Sequence, residues 1–178
     1  MKSIYSLLVD WKQENPDFNF IKYKRNFTLN EVLNEIDAVS KSISYIKSQR
    51  LGIHVCSPLD FIILYISCMK NNKIPILFNI SWSSAQINYV LEKYEIENII
   101  TDWQGRKKFT GKESLYFMEE LVNSSRGCGI SERLNPDASL ESVLFTSGTT
   151  GSPKAVSLES ENFFNSAISW HNELKFSS

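Results

Sequence analysis

Apolar and polar positions follow two periods along this chain, and the periods take turns. Residues 18–23 (Phe-Asn-Phe-Ile-Lys-Tyr) alternate in the manner of a half-buried strand. Behind a capping box of Thr28 and Glu31 the spacing lengthens, with Leu29, Val32, Leu33, Ile36, Val39, Ile43 and Ile46 predicting a helix down to about Lys47. An apolar strand is expected at 51–56, then a helix over about 58–71 with Pro58 in its first turn. Residues 74–78 read as another buried strand, whose Pro75 argues for an edge or strand-start position. A serine-capped helix over about 84–94 and a short strand at 98–101 follow. Between 102 and 137 the period fades, and loops around one strand or helix near 115–122 are expected. Val143, Leu144 and Phe145 predict a short buried strand and residues 154–158 a returning one. Ser160 is a candidate cap for a helix from about Glu161, whose stripe of Phe163, Phe164, Ala167, Ile168 and Trp170 reads as core packing. The opening MKSIYSLLVDWKQ reads as a further helix. Strands alternating with helices give the expected class: α/β, layered, with a largely parallel sheet and flanking helices.

Composition narrows what such a domain does. The chain has 178 residues, 42% hydrophobic and 22% charged, with a net charge of -1, so no field attracts nucleic acid. The start lacks the long apolar core and cleavage site of a secretory signal. The longest apolar run, at 61–69, is about half of what a bilayer span needs. Cys56, Cys68 and Cys128 have no metal-ligand spacing and cannot all pair, which fits a reducing, cytoplasmic compartment. Cys68, within the apolar run, reads as a small core residue. His54 and His171 lack partners at catalytic spacing and read as structural, and Ser147 lacks the G-x-S-x-G setting of a hydrolase elbow. The basic cluster at 106–108 reads as a solvated loop.

The candidate chemistry lies at 143–154, where an apolar strand runs into Thr-Ser-Gly-Thr-Thr-Gly-Ser-Pro-Lys. Gly148 and Gly151 let the backbone turn and approach a ligand. Successive N–H groups make an anion nest, the hydroxyls of Thr146, Ser147, Thr149 and Thr150 add donors, and Lys154 supplies positive charge. A Walker loop is excluded, because it needs G-x-x-x-x-G-K followed by Ser or Thr, whereas Ser152 and Pro153 separate Gly151 from Lys154 here. Proline bars a simple helical continuation, so a loop between two strands is expected. The bland alternative is an ordinary Ser/Thr/Gly-rich hairpin turn.

The longer run FTSGTTGSPKAV at 145–156 resembles the signature of the adenylate-forming superfamily: acyl- and aryl-CoA synthetases, nonribosomal peptide synthetase adenylation domains and firefly luciferase. The resemblance implies that Thr146, Ser147, Gly148, Thr149, Thr150, Gly151 and Lys154 hold the β- and γ-phosphates of ATP while a carboxylate attacks the α-phosphorus. Mg2+ accompanying ATP, CoA as co-substrate and a small carboxylic acid are likewise implied. Two positions depart from the pattern: Ala155 stands where most members have glycine, and Ser160 where many have histidine, two residues before the matching Asn162. Alanine after Pro-Lys is similar to the o-succinylbenzoate-CoA ligases of menaquinone synthesis. Asn79 sits where many members end a strand with asparagine and reads as structural.

The order of elements also resembles the N-terminal part of that fold, loosely over nearly all of residues 1–178 and strongly at 142–156. The family's acyl pocket, the acidic residue associated with magnesium, the ribose-binding aspartate and the catalytic lysine of the C-terminal lid domain all come later. The expectation is therefore an N-terminal portion of an AMP-binding domain, inactive alone, with no catalytic residue and no metal ligand of its own. Within the class, o-succinylbenzoate-CoA ligase leads over a generic acyl-CoA synthetase and a carrier-protein-loading adenylation domain. A stand-alone nucleotide- or pyrophosphate-binding α/β protein or subunit, without catalysis, is the alternative, and a decayed domain whose loop survives as a turn is the blandest.

Overall fold

The structure is a computed structural model that describes residues 4–15, 17–111, 113–124, 141–147 and 152–175. Helix α1 (Ile4–Glu14) leads into a hairpin of β1 (Asn19–Tyr23) and β2 (Arg25–Thr28), antiparallel to each other. The second strand has no counterpart in the sequence reading. Its turn is made by Lys24 in the left-handed region at φ 58°, so no glycine announces it.

Helix α2 (Leu29–Ser44) starts at the expected box: the Thr28 N–H donates to Glu31 Oε2 at 2.8 Å, and the Glu31 N–H donates to Thr28 Oγ1 at 3.2 Å. Its periodic residues are buried, but the helix ends before Ile46. That side chain still enters the core from the turn beyond, and Lys73 Nζ donates to the freed carbonyls of Ile46 and Ser48. Hydrophobic period and helix length part company here because a turn can bury a residue as well as a helix can.

A larger sheet follows. It comprises β3 (Arg50–His54), β4 (Ile74–Leu77), β5 (Asn98–Thr101), β6 (Ser114–Phe117), β7 (Glu141–Ser147) and β8 (Pro153–Glu159), with α3 (Pro58–Lys70), α4 (Ser84–Lys93), α5 (Met118–Ser124) and α6 (Ser160–Leu174) among them. The order across the sheet is β6-β5-β3-β4-β7-β8, parallel throughout except for the last pair. The strand or helix expected near 115–122 is both, β6 and then α5. Leu51, Ile53, Val55 and Ile100 face α1, α2, α3 and α5, while Ile76, Phe78 and Ile99 face α4. On the first side, Tyr5 of α1 donates to Asp37 Oδ1 at 2.5 Å and accepts from Lys70 Nζ at 3.0 Å, which ties three helices together. The expected layered α/β class is the observed one.

One expectation holds in part and one is corrected. Strand β4 is interior, between β3 and β7, so of the two positions expected for Pro75 the edge is not observed and the strand start is, Pro75 being the second residue of β4. It is tolerated because Ile74 and Phe78 donate to Gln49 and Ile53 on the β3 side, which turns the nitrogen of Pro75 toward β7, where pairing begins only at Ile76 with Val143. The stripe on α6 is not core: Phe164, Ile168 and Trp170 are exposed, Trp170 by 60%, as is Leu174 beyond it, and among the described residues only Phe163 of the stripe meets another ring, Tyr65 at 6.4 Å. The helix also begins one residue earlier than expected, with Ser160 as its first residue, and the Glu159 N–H donates to Asn162 Oδ1 at 2.8 Å.

Candidate functional site

Strand β7 lies parallel to β4, so its carboxyl end, and the turn that follows, stand at the same edge as the turns after β3, β4 and β5. Ligands of open α/β sheets bind at this edge. Strand β8 returns antiparallel, with Thr146 opposite Lys154 and Ser147 opposite Pro153. The sequence expectation of two strands flanking the candidate loop is met. Directly opposed residues of an antiparallel pair share a face, so the exposed Thr146 and Lys154 stand together at the mouth of the turn. Gly148, Thr149, Thr150 and Gly151 lie outside the described residues, and of Ser147 only the backbone is described.

The turn is anchored from the other face. Phe145, one residue before Thr146, lies 6.0 Å from Phe78, 5.3 Å from Trp82 and 5.4 Å from Tyr94, ring centre to ring centre. Opposite it, the Ala155 N–H donates to Tyr94 Oη at 3.1 Å. Tyr89 of α4 accepts from Lys93 Nζ at 2.8 Å and hydrogen-bonds Ser152. The Lys93 ammonium, and after it Ser152, hold the Tyr89 hydroxyl below its ordinary pKa. On the α3 side, Tyr65 Oη donates to Ser142 Oγ at 3.2 Å, and burial pushes its pKa up. None of these anchoring side chains was singled out from the sequence. Their only trace there is a run of aromatic residues on and beside one helix, which periodicity assigns to packing.

Neighbouring turns are fixed as well. Asn79 Oδ1 accepts from the Ser81 N–H at 2.9 Å and from Ser81 Oγ at 2.8 Å, which confirms its structural reading. The cluster at 106–108 belongs to a 3-10 turn, Gly105–Lys108, and is not uniformly solvated. Arg106 and Lys107 are exposed, but Lys108 Nζ donates to the carbonyls of Ile80 and Trp82 and so clamps the turn beside Phe145. His54 is buried at the end of β3, and His171 is exposed on α6. Cys68 is a core residue whose thiol burial pushes up to about 12, Cys56 is exposed, and Cys128 lies outside the described residues. Among the described residues no group of three or more His, Cys, Asp or Glu is set to hold a metal ion, and no helix is long and apolar enough to cross a membrane.

Comparison with known proteins gives a consistent result. A family model, AMP-binding enzyme, matches residues 8–177. One of the mycosubtilin synthase subunits of Bacillus subtilis is 26% identical over 178 residues, covering 97% of this chain and 7% of that protein. A candidate long chain fatty acid-CoA ligase of Staphylococcus epidermidis, VraA, is 26% identical over 172 residues, covering 96% of this chain and 33% of that protein. Among solved structures, O-succinylbenzoate Coenzyme A Synthetase from Bacillus subtilis, in complex with AMP, superposes with a TM-score of 0.82 at 19% identity, over 99% of this chain and 47% of that one. The chain thus spans a third or less of these curated relatives and under half of the solved chain.

Proposed function

Because the chain belongs to the AMP-binding enzyme family, matched over residues 8–177, we propose that residues 1–178 are the N-terminal portion of the large domain of an ATP-dependent carboxylate-CoA ligase. In this reading a carboxylate oxygen attacks the α-phosphorus of ATP and the bond to the bridging oxygen breaks. Pyrophosphate leaves, and a CoA thiol then displaces AMP from the acyl-adenylate to give the thioester. The part played by this chain is to hold the β- and γ-phosphates. Its donors are Thr146, Ser147, Gly148, Thr149, Thr150 and Gly151, through hydroxyls and backbone N–H groups, with Lys154 as the cation.

The single observation that carries the proposal is the opposition of Thr146 and Lys154 at the mouth of a turn on the carboxyl edge of the sheet. A hydroxyl and an ammonium on one face, beside a glycine-bearing turn, suit an anion with several oxygens. The Mg2+ that travels with ATP would share its charge. The later catalytic lysine, acyl pocket and lid domain of such an enzyme belong to further sequence, so the 178-residue chain alone is proposed to be inactive. The exposed apolar side of α6 supports this, as a surface that the rest of the domain would cover. A cytoplasmic location and an o-succinylbenzoate substrate are the finer proposals. Ala155 after Pro153 and Lys154 supports the latter, together with the likeness to the solved synthetase.

The test is ATP–pyrophosphate exchange by the native gene product, with a panel of carboxylic acids that includes o-succinylbenzoate. Exchange dependent on one acid is expected, and Lys154→Ala should slow it about tenfold or more, in line with the loss of one charged transition-state contact. Lys154 is exposed, so the same variant should keep its thermal midpoint. Exchange kinetics unchanged by Lys154→Ala would remove this residue from the phosphate site. Pyrophosphate binding by a native product that exchanges with no acid would favour a non-catalytic nucleotide-binding protein.

A further inference from the structure

Two tyrosines of the α4 segment meet the returning strand of the hairpin. Strand β8 is the last of the sheet, so alternate N–H groups along it point away from β7. The Ala155 N–H goes to Tyr94 Oη at 3.1 Å, and the Tyr94 ring lies 5.4 Å from Phe145, the residue paired with Ala155. Tyr94 thus receives an edge donor while its ring holds the opposing residue. Tyr89 hydrogen-bonds Ser152 and accepts from Lys93 at 2.8 Å. The two attachments bracket Pro153 and Lys154. They matter there because Pro153, two residues before Ala155, turns its nitrogen the same way, away from β7, and has no N–H to offer, so the outer edge beside Lys154 is tied through Ser152 and Ala155.

We propose that Tyr94 and Tyr89 are positioning residues for Lys154: Tyr94 through the Ala155 N–H and Tyr89 through the Ser152 side chain tie the chain on either side of it and so hold its ammonium at the mouth of the turn. The inference rests on the phosphate reading of that turn. Neither tyrosine touches the phosphates. Each acts through the lysine.

The test has two arms. Tyr94→Phe keeps the ring against Phe145 and removes the acceptor, and amide hydrogen exchange on this chain reads the result. One hydrogen bond corresponds to about threefold to tenfold, so the Ala155 amide should exchange faster by that factor while Ile99 and Ile100 of β5 keep their rates. An unchanged Ala155 rate, or a rise throughout the sheet with a lower thermal midpoint, overturns the proposal. The second arm titrates pyrophosphate into wild type, Tyr94→Phe, Tyr89→Phe, Lys154→Ala and the Tyr94→Phe, Lys154→Ala double variant. Each tyrosine variant should bind about threefold to tenfold more weakly, and the double variant no more weakly than Lys154→Ala alone, because both changes act on one contact. Wild-type affinity in the tyrosine variants, or losses that add in full, overturn the positioning role. Equal titrations of wild type and Lys154→Ala instead sink the phosphate reading and the positioning role with it, while the Ala155 exchange rate still reports whether the tie itself exists.

Discussion

His54 shows how much one residue can decide. It closes β3 with 1% of its surface exposed, its ring stands edge-on to Phe109 at 5.4 Å, and neither ring nitrogen has a hydrogen-bond partner among the described residues. Burial, and after it the Lys108 ammonium, hold its pKa below the ordinary value, with Asp102 opposing the shift. The folded state therefore binds the proton less readily than the unfolded chain. The contribution to stability is fully present above an unfolded pKa of about 6.5 and is lost as pH falls toward the folded value. We expect the thermal midpoint to drop as the pH is lowered from 7 to 5, and His54→Leu to flatten that drop; parallel curves would show that other groups cause it. The same ring explains Gly105. A Cβ there would stand 2.4 Å from Thr101 Oγ1 and 2.6 Å from His54 Nδ1, so Gly105→Ala should cost about 1–3 kcal/mol in urea unfolding. At this scale the sequence was readable where the partners lie within one turn of the chain, as at Thr28 with Glu31. It was silent where the role depends on a contact far along the chain, as at Tyr94 with Ala155 or Lys108 with Ile80.

Among the elements, α2 is the clearest case of local sequence deciding structure. Its cap, box and buried face are all written within one stretch, and Thr28→Ala should cost about 1 kcal/mol by chemical denaturation, since the Glu31 N–H loses its acceptor. A smaller effect, within about 0.3 kcal/mol, would mean that tertiary packing alone holds the helix start. Strand β2 was illegible for the opposite reason: it is short, exposed over its first two residues, and turned by a lysine in a conformation usually left to glycine. Pro75 left two positions open, and the strand start is the one observed, because an edge is not the only place where a strand nitrogen faces no carbonyl. The end of a seam serves as well, and only the pairing of Ile76 with Val143 reveals it. Residues 114–124 hold a four-residue strand and a seven-residue helix where periodicity could resolve only one element, near 115–122.

For the whole molecule, the alternation of strand and helix was enough to state the class, because a parallel sheet covered on both faces has few ways to be built. What alternation could not supply was the fate of α6, since a helix with an apolar stripe looks the same in sequence whether or not a partner layer lies against it. Trp170 gives the means to check this. In this chain its indole should be open to acrylamide quenching alongside the exposed Trp11 and Trp103, and Trp170→Phe should lower the readily quenched fraction of the emission; an unchanged fraction would mean that Trp170 is shielded and α6 covered. The order of the sheet carries a different consequence, one of timing. Each strand pairs with a strand that precedes it in the chain: β4 and β5 join β3, β6 joins β5, β7 joins β4, and β8 joins β7. A polypeptide leaving the ribosome can therefore add every later strand to a neighbour already made, while the outer edge of β4 stays open until β7 is synthesised. Among the described strands, the hairpin that bears Lys154 follows the others and joins a sheet already in place to receive it.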